Sequence, residues 1–226
     1  MEYYFTKAFN NLNDEERESF YKAVMLNDDS PYAQKIRHDY YKSVLGCMGE
    51  NCHIGTNVKI VNPQWVRLGN NVQIYDGATL IARGEKGITL GDFTRIKERA
   101  FLDTERPETG YINIANNVYI GTGTTIFGHI GVEIGEYSLL AQNITITPYS
   151  HLSDDPDELI IKQGGHCEKV VIGRDCYIGM NTAVMYSGSL GDGSVVGAGA
   201  VVRTPIPPYS IAVGVPAKVI KKRVKK

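Results

Sequence analysis

An aliphatic residue returns every sixth position along much of this chain. Between Val171 and Val202 it falls at Ile172, Ile178, Val184, Leu190, Val196 and Val202. A helix repeats about every 3.6 residues and a flat strand every two, so neither accounts for a strict six. Two residues before these aliphatics stand Cys176, Thr182, Gly188, Ser194 and Ala200, all small. In an extended chain i and i−2 point the same way, so a large and a small side chain share one interior. Gly173, Gly179, Gly191 and Gly197 directly follow aliphatics, as suits close backbone approach. A hexapeptide period of this kind predicts a parallel β-helix.

The same beat runs upstream through Ile54 and Ile60; Leu68, Ile74 and Leu80; Leu90, Ile96 and Leu102; Ile114, Ile120 and Ile126; Ile134, Leu140 and Ile146. Between triplets the chain inserts two, four, six, two, twenty and zero residues beyond six. Every insertion follows a third hexad, so the unit is a three-sided coil. The expectation is a triangular prism of about six complete coils and a partial first one, roughly 30 Å tall at about 4.8 Å per coil. Segments 61–67, 81–89, 103–113, 127–133 and 147–171 should leave one edge. A solenoid's ends need covering. Residues 14–45 read as two helices, the first capped by Asp14 and the second started by Ser30 and Pro31. The organisation expected is an N-terminal helical cap over 1–50 and a β-helix over 51–204 carrying the loop 147–171. Prolines after Val202 end the beat, so the basic tail 205–226 should pack back on the prism.

Charge is balanced, with 24 basic and 25 acidic residues, and suggests no nucleic-acid partner. No apolar run approaches the ~18 residues of a membrane span. The N-terminus lacks the basic-then-apolar pattern of an export signal, so the expected location is cytoplasmic. Cys47, Cys52, Cys167 and Cys176 show no metal-type spacing and read as reduced thiols.

The twenty-residue insertion lies within "TPYSHLSDDPDELIIKQGGHCEKV", Thr147–Val170. Long loops in compact domains are usually functional or disordered. His151 follows Ile146 by five residues and so stays near the rigid prism. His129, in the preceding coil's insertion, leaves the same edge about 5 Å away along the axis. A histidine beside a rigid scaffold can act as a general base near neutral pH. Asp154 and Asp155 are near enough in sequence to orient it; the alternative is a plain loop histidine. His129 is a candidate for substrate contact, His166 a weaker candidate, and His38 and His53 read as structural or solvated. Zinc on a β-helix, as in gamma-type carbonic anhydrases, needs three converging imidazoles. The close histidine pair is missing here, so no metal is expected. Neither a Gly-x-Ser-x-Gly elbow nor a P-loop appears.

The prism pattern, the loop "PYSHLSDD" and the ending "VVGAGAVVRTPIPPYSIAVGVPAKVIKKR" resemble the hexapeptide-repeat acetyltransferases, best the sugar O-acetyltransferase branch with the maltose and galactoside enzymes. The resemblance covers roughly residues 40–222 and implies a left-handed β-helix, a homotrimer with sites between subunits, and acetyl-coenzyme A as donor to a sugar hydroxyl. It places His151 at the catalytic base position. It sets Ala141 and Met180 beside the pantetheine arm, Ala198, Arg203 and Thr204 near the adenine, and Lys218 and Lys221 near the phosphates. Lysine is a compact charge suited to phosphate; the bland reading of the tail is a solvated basic end. The chain departs from the pattern at Gly123, where the maltose and galactoside enzymes use an asparagine toward the acceptor. The acceptor is thus expected to be another saccharide, met by Arg83, Arg106, His129 and Asp154. Two rival readings are an N-acetyltransferase on an amino-sugar nucleotide or small antibiotic-like acceptor, and a non-catalytic scaffold subunit.

Overall fold

The computed structural model describes residues 13–17, 19 and 28–224. The chain winds into a triangular parallel β-helix with three parallel sheets as its sides. The first sheet starts at Cys47–Met48 and ends at Val170–Ile172, with single bridges onward to Leu190 and Ile206. The second runs from His53–Ile54 to Ser210–Val213, and the third from Lys59–Val61 to Val201–Val202. The six-residue beat sets the register. Ile114 lies opposite Leu90 and Ile134, Ile120 opposite Ile96 and Leu140, and Ile126 opposite Leu102 and Ile146. The first coil is complete, because Met48 pairs opposite Leu68. Methionine fills the aliphatic position there, which hid the coil from a pattern of Ile, Leu and Val.

Burial of the aliphatic column drives this fold. Ile74, Leu80, Ile96, Leu102, Ile120, Ile126 and Ile146 are fully buried, each worth roughly 1.5–3 kcal/mol of transfer free energy. The small polar residues two positions earlier are buried with them and hydrogen-bonded to turn carbonyls. Thr94 Oγ1 donates to Ala115 O at 2.9 Å and Ser138 Oγ to Gly173 O at 2.8 Å. Pairing removes most of the cost of burying a hydroxyl.

The corners have a rule that the aliphatic beat does not show. The residue three before the aliphatic is left-handed, as at Asn51, Asn57, Asn71, Asn117, Asn143 and Asn181, with φ between 54° and 59°. Asparagine tolerates that conformation better than most side chains. Coils also approach closely after the aliphatic: a Cβ on Gly173 would stand 2.7 Å from the Asp192 backbone nitrogen.

The helix Pro31–Val44 covers the first coil. Ser30 Oγ caps it by accepting the Ala33 N–H. Tyr41 donates from its hydroxyl to Val58 O at 3.0 Å, and the buried Arg37 donates from Nε to Ile54 O at 2.9 Å. Asn13, rather than Asp14, caps the earlier helical residues 14–17: its Oδ1 accepts the Glu16 N–H while Glu16 accepts the Asn13 N–H, a reciprocal capping box. The rest of that expected helix lies outside the described residues. At the other end, Ser210–Val213 and Lys218–Lys222 form an antiparallel hairpin on the second sheet. Ile206, Ala212 and Ala217 bury the tail against the last coil.

Candidate active site

All five insertions leave the corner between the third and first sheets, since each joins a third-sheet strand to the next first-sheet strand. The longest forms a two-stranded antiparallel ribbon of Tyr149–His151 and Gly165–Cys167, with His151 opposite Gly165. The ribbon holds His151 near the prism although its side chain is exposed.

A ladder of rings climbs this corner. Phe101 packs edge-on to Phe127 at 6.1 Å, and Phe127 to His129 at 6.1 Å. Tyr149 stacks flat on His129, with centroids 5.0 Å apart and planes 6° apart. His151 stands edge-on to Tyr149 at 4.9 Å, and its Nδ1 lies 3.3 Å from the Tyr149 hydroxyl. The sequence spacing expects His151 one coil above His129; the structure puts Tyr149 there and His151 one step further. The signal for Tyr149 is present in the chain. His129 follows Ile126 by three residues and Tyr149 follows Ile146 by three, and Ile126 pairs with Ile146. Asp154 is exposed and makes no hydrogen bond to His151, while Asp155 accepts the Asp157 N–H. The tyrosine hydroxyl occupies the place expected for a carboxylate.

Below the ladder lies a charged pair. Arg83 donates from Nε and Nη2 to the two oxygens of Asp103, at 2.7 and 2.6 Å. The Asp103 side chain is only 2% exposed and that of Arg83 43%. Asp103 also accepts the Glu105 N–H at 2.8 Å. Arg83 is therefore anchored, whereas Arg106 places its guanidinium carbon 5.6 Å from the centre of the Tyr149 ring. Burial pushes His129 below its ordinary pKa, and Arg106 adds in the same direction while Asp103 opposes. The shift favours the neutral imidazole, and its Nδ1 is buried without a hydrogen-bond partner among the described residues. Burial raises the Glu105 carboxyl, and the charge of Asp103 adds to this. Asp103, Tyr149 and Gly165 carry this geometry and were not legible as site residues without the register.

The residues matched to the coenzyme lie elsewhere. Ala141, Met180 and Ala198 follow the second-sheet strands ending at Leu140, Ile178 and Val196, at the corner between the second and third sheets. Met180 and Ala198 are exposed. Lys218 and Lys221 are exposed on the outer strand of the terminal hairpin and make no ion pair among the described residues. Lys222 and Arg223 are committed, to Ser210 Oγ and Asp175 Oδ2. Arg203 and Thr204 are exposed but follow Val202, at the far end of the third sheet. Gly123 is left-handed, and a Cβ there would stand 2.6 Å from Asn143 Oδ1. His166 packs edge-on to Tyr186 at 5.2 Å, His53 to Tyr75 at 6.3 Å, and His38 lies 3.2 Å from Asp39. Among the described residues, no three His, Cys, Asp or Glu side chains form a metal-sized cluster, and no helix is long and apolar enough to cross a membrane.

Known proteins share this pattern. The hexapeptide repeat of succinyl-transferase matches residues 169–203. A protein of Mycobacterium tuberculosis named as a probable acetyltransferase is 34% identical over 167 residues, 74% of this chain and 53% of its own length. The galactoside O-acetyltransferase of Escherichia coli is 33% identical over 112 residues, 49% of this chain and 53% of its own. This chain spans about half the length of each. The N-acyltransferase AntD of Bacillus cereus, solved with dTDP and coenzyme A, superposes with a TM-score of 0.60 at 20% identity, covering 84% of this chain and 90% of that one. That likeness is one of fold. In its repeat, in the register carried through the coils and in these relatives, this chain is similar to the hexapeptide-repeat proteins.

Proposed function

We propose that the protein transfers an acetyl group from acetyl-coenzyme A to a hydroxyl of a saccharide, with His151 as general base. The observation that carries this reading is the ladder His129–Tyr149–His151 on the prism corner, which ends in an exposed imidazole on an anchored ribbon. The galactoside O-acetyltransferase relative supports the reaction class. The exposed Met180 and Ala198, and Lys218 and Lys221, which are exposed and make no ion pair among the described residues, suit a thioester arm and its phosphates. When bound, acetyl-coenzyme A supplies the activated acetyl thioester. His151 would accept the acceptor hydroxyl's proton as the oxygen forms its bond to the acetyl carbon, and would return that proton to the sulfur as the C–S bond breaks and coenzyme A leaves as the thiol. His129 and Arg106, which pack on Tyr149, are the acceptor contacts this reading favours, with Arg83 further down the corner; Asp154 is exposed and has no observed contact with His151.

The two halves of this site sit at different corners of one prism, separated by the third sheet. That separation supports a homotrimer in which the base of one copy meets the thioester held by another. Exposed Tyr137, Leu139 and Tyr177 on and beside the second sheet supply apolar surface for such contacts. Four free thiols and this donor fit the cytoplasm. A second reading has an amine of a nucleotide sugar as acceptor. It is supported by the dTDP-4-amino-4,6-dideoxy-D-glucose acyltransferase of Escherichia coli, 26% identical over 82% of this chain and 84% of its own length.

The test is thiol release from acetyl-coenzyme A across a panel of sugars and amino-sugar nucleotides. His151→Ala should lose about 10²–10⁴-fold in turnover while coenzyme A still raises the melting temperature by mass action. Near wild-type turnover would refute the base assignment.

A further inference from the structure

The Tyr149 hydroxyl lies against His151 where many histidine bases meet a carboxylate, and three independent features hold it there. Its ring stacks on His129 with planes 6° apart. The Arg106 guanidinium covers the ring at 5.6 Å. The third feature is Gly165, directly across the ribbon from His151. A Cβ on Gly165 would collide with Cζ, Cε2 and the hydroxyl of Tyr149, so the absence of a side chain makes room for the phenol. Tyr149 is therefore the fixed member of the pair, and the exposed His151 is the member it orients.

We infer that Tyr149 is the positioning residue of His151: its hydroxyl oxygen accepts the His151 Nδ1–H and holds the neutral imidazole with its lone pair on Nε2. The proposal rests on the reading of His151 as the base. A phenol can donate or accept, and only acceptance gives a usable base. With the proton on Nδ1, Nε2 has no hydrogen-bond partner among the described residues and is free to meet an acceptor hydroxyl. That hydroxyl's proton moves to Nε2 to give the imidazolium, and Nδ1–H stays bonded to Tyr149. Which ring nitrogen is protonated is set by the bond the other makes. Here a neutral group sets it, so orientation comes without a buried negative charge beside the base.

Tyr149→Phe keeps the ring on His129 and against Gly165 and removes only the oxygen. The readout is the imidazole ¹H–¹⁵N spectrum of ¹⁵N-histidine-labelled protein at alkaline pH, with the His151 signals identified by their loss in His151→Ala. Wild type should show His151 protonated on Nδ1, and Tyr149→Phe should shift it toward the Nε2–H form that free histidine prefers. Turnover should fall roughly 10–100-fold, the range for partners that orient a histidine, with acceptor KM, coenzyme A binding and melting temperature near wild type. A wild-type His151 already protonated on Nε2, or a tautomer unchanged in Tyr149→Phe, would overturn the proposal. If His151→Ala keeps its turnover, the base assignment fails, yet the spectrum still reports whether Tyr149 sets the tautomer. A Tyr149→Phe protein with a shifted tautomer but wild-type turnover would show contact without positioning and would also overturn it.

Discussion

Removing either partner of the Arg83–Asp103 pair should have unequal effects, and the inequality tests the electrostatics of the loop corner. The two hydrogen bonds of 2.7 and 2.6 Å are bidentate, but the partners differ in burial: the Asp103 side chain is 2% exposed and the Arg83 side chain 43%. Arg83→Ala leaves a buried carboxylate whose remaining bond is to the Glu105 N–H. Breaking a fully buried pair costs about 3–5 kcal/mol, and an exposed pair about 0–1 kcal/mol. A guanidinium nearly half in water places Arg83→Ala between them, at about 2 kcal/mol. Asp103→Ala leaves a guanidinium that water can solvate, at about 1 kcal/mol for the lost hydrogen bonds. The double variant should resemble Asp103→Ala, because no stranded charge remains. For a chain of this size about 2 kcal/mol is roughly 4–8 °C in Tm. Urea unfolding of the three variants beside wild type measures the cycle. If Asp103→Ala costs as much as Arg83→Ala or more, the stranded carboxylate is not the dominant cost and the reasoning fails.

Two further outcomes concern His129 and Gly173. Burial, with Arg106 adding to it, depresses the pKa of His129, so its contribution to stability is full above about pH 6.5 and is lost as pH falls from there toward the folded value. Arg106→Gln should raise the His129 pKa in an NMR titration, and no change would remove Arg106 from the cause. Gly173→Ala forces a methyl toward the Asp192 backbone and should destabilise by about 1–3 kcal/mol, as overpacking does; a melting temperature at or above wild type would show that the coils can spread at that corner.

The repeat was legible because a narrow closed coil admits only one periodic solution. Each inward position must be aliphatic, its neighbour two before is small or, as at Val72, Val118 and Ile144, a second buried aliphatic, and insertions can escape only at a corner. Ile114, Ile120 and Ile126 therefore announce their sheets by spacing alone, and the shared edge of the loops follows from where the beat pauses. Met48 escaped the pattern only because it substitutes an unbranched side chain for an aliphatic. His151 could be singled out as the imidazole nearest the prism on the longest excursion. Its partner could not, because a carboxylate was the expected partner and Asp154 is the first one after His151, whereas Asp154 is exposed and the ribbon sets Gly165 across from His151, leaving room for the Tyr149 phenol. Whether a side chain is anchored or free is decided likewise by contacts between coils. Arg83 and Arg106 look alike in the sequence, but Asp103, one coil away from Arg83, holds it by a buried bidentate pair, and Arg106 is left to lie over Tyr149. Periodicity encodes the backbone because burial repeats with it; pairings at the corner depend on loop paths that carry no period, and only the folded structure decides them.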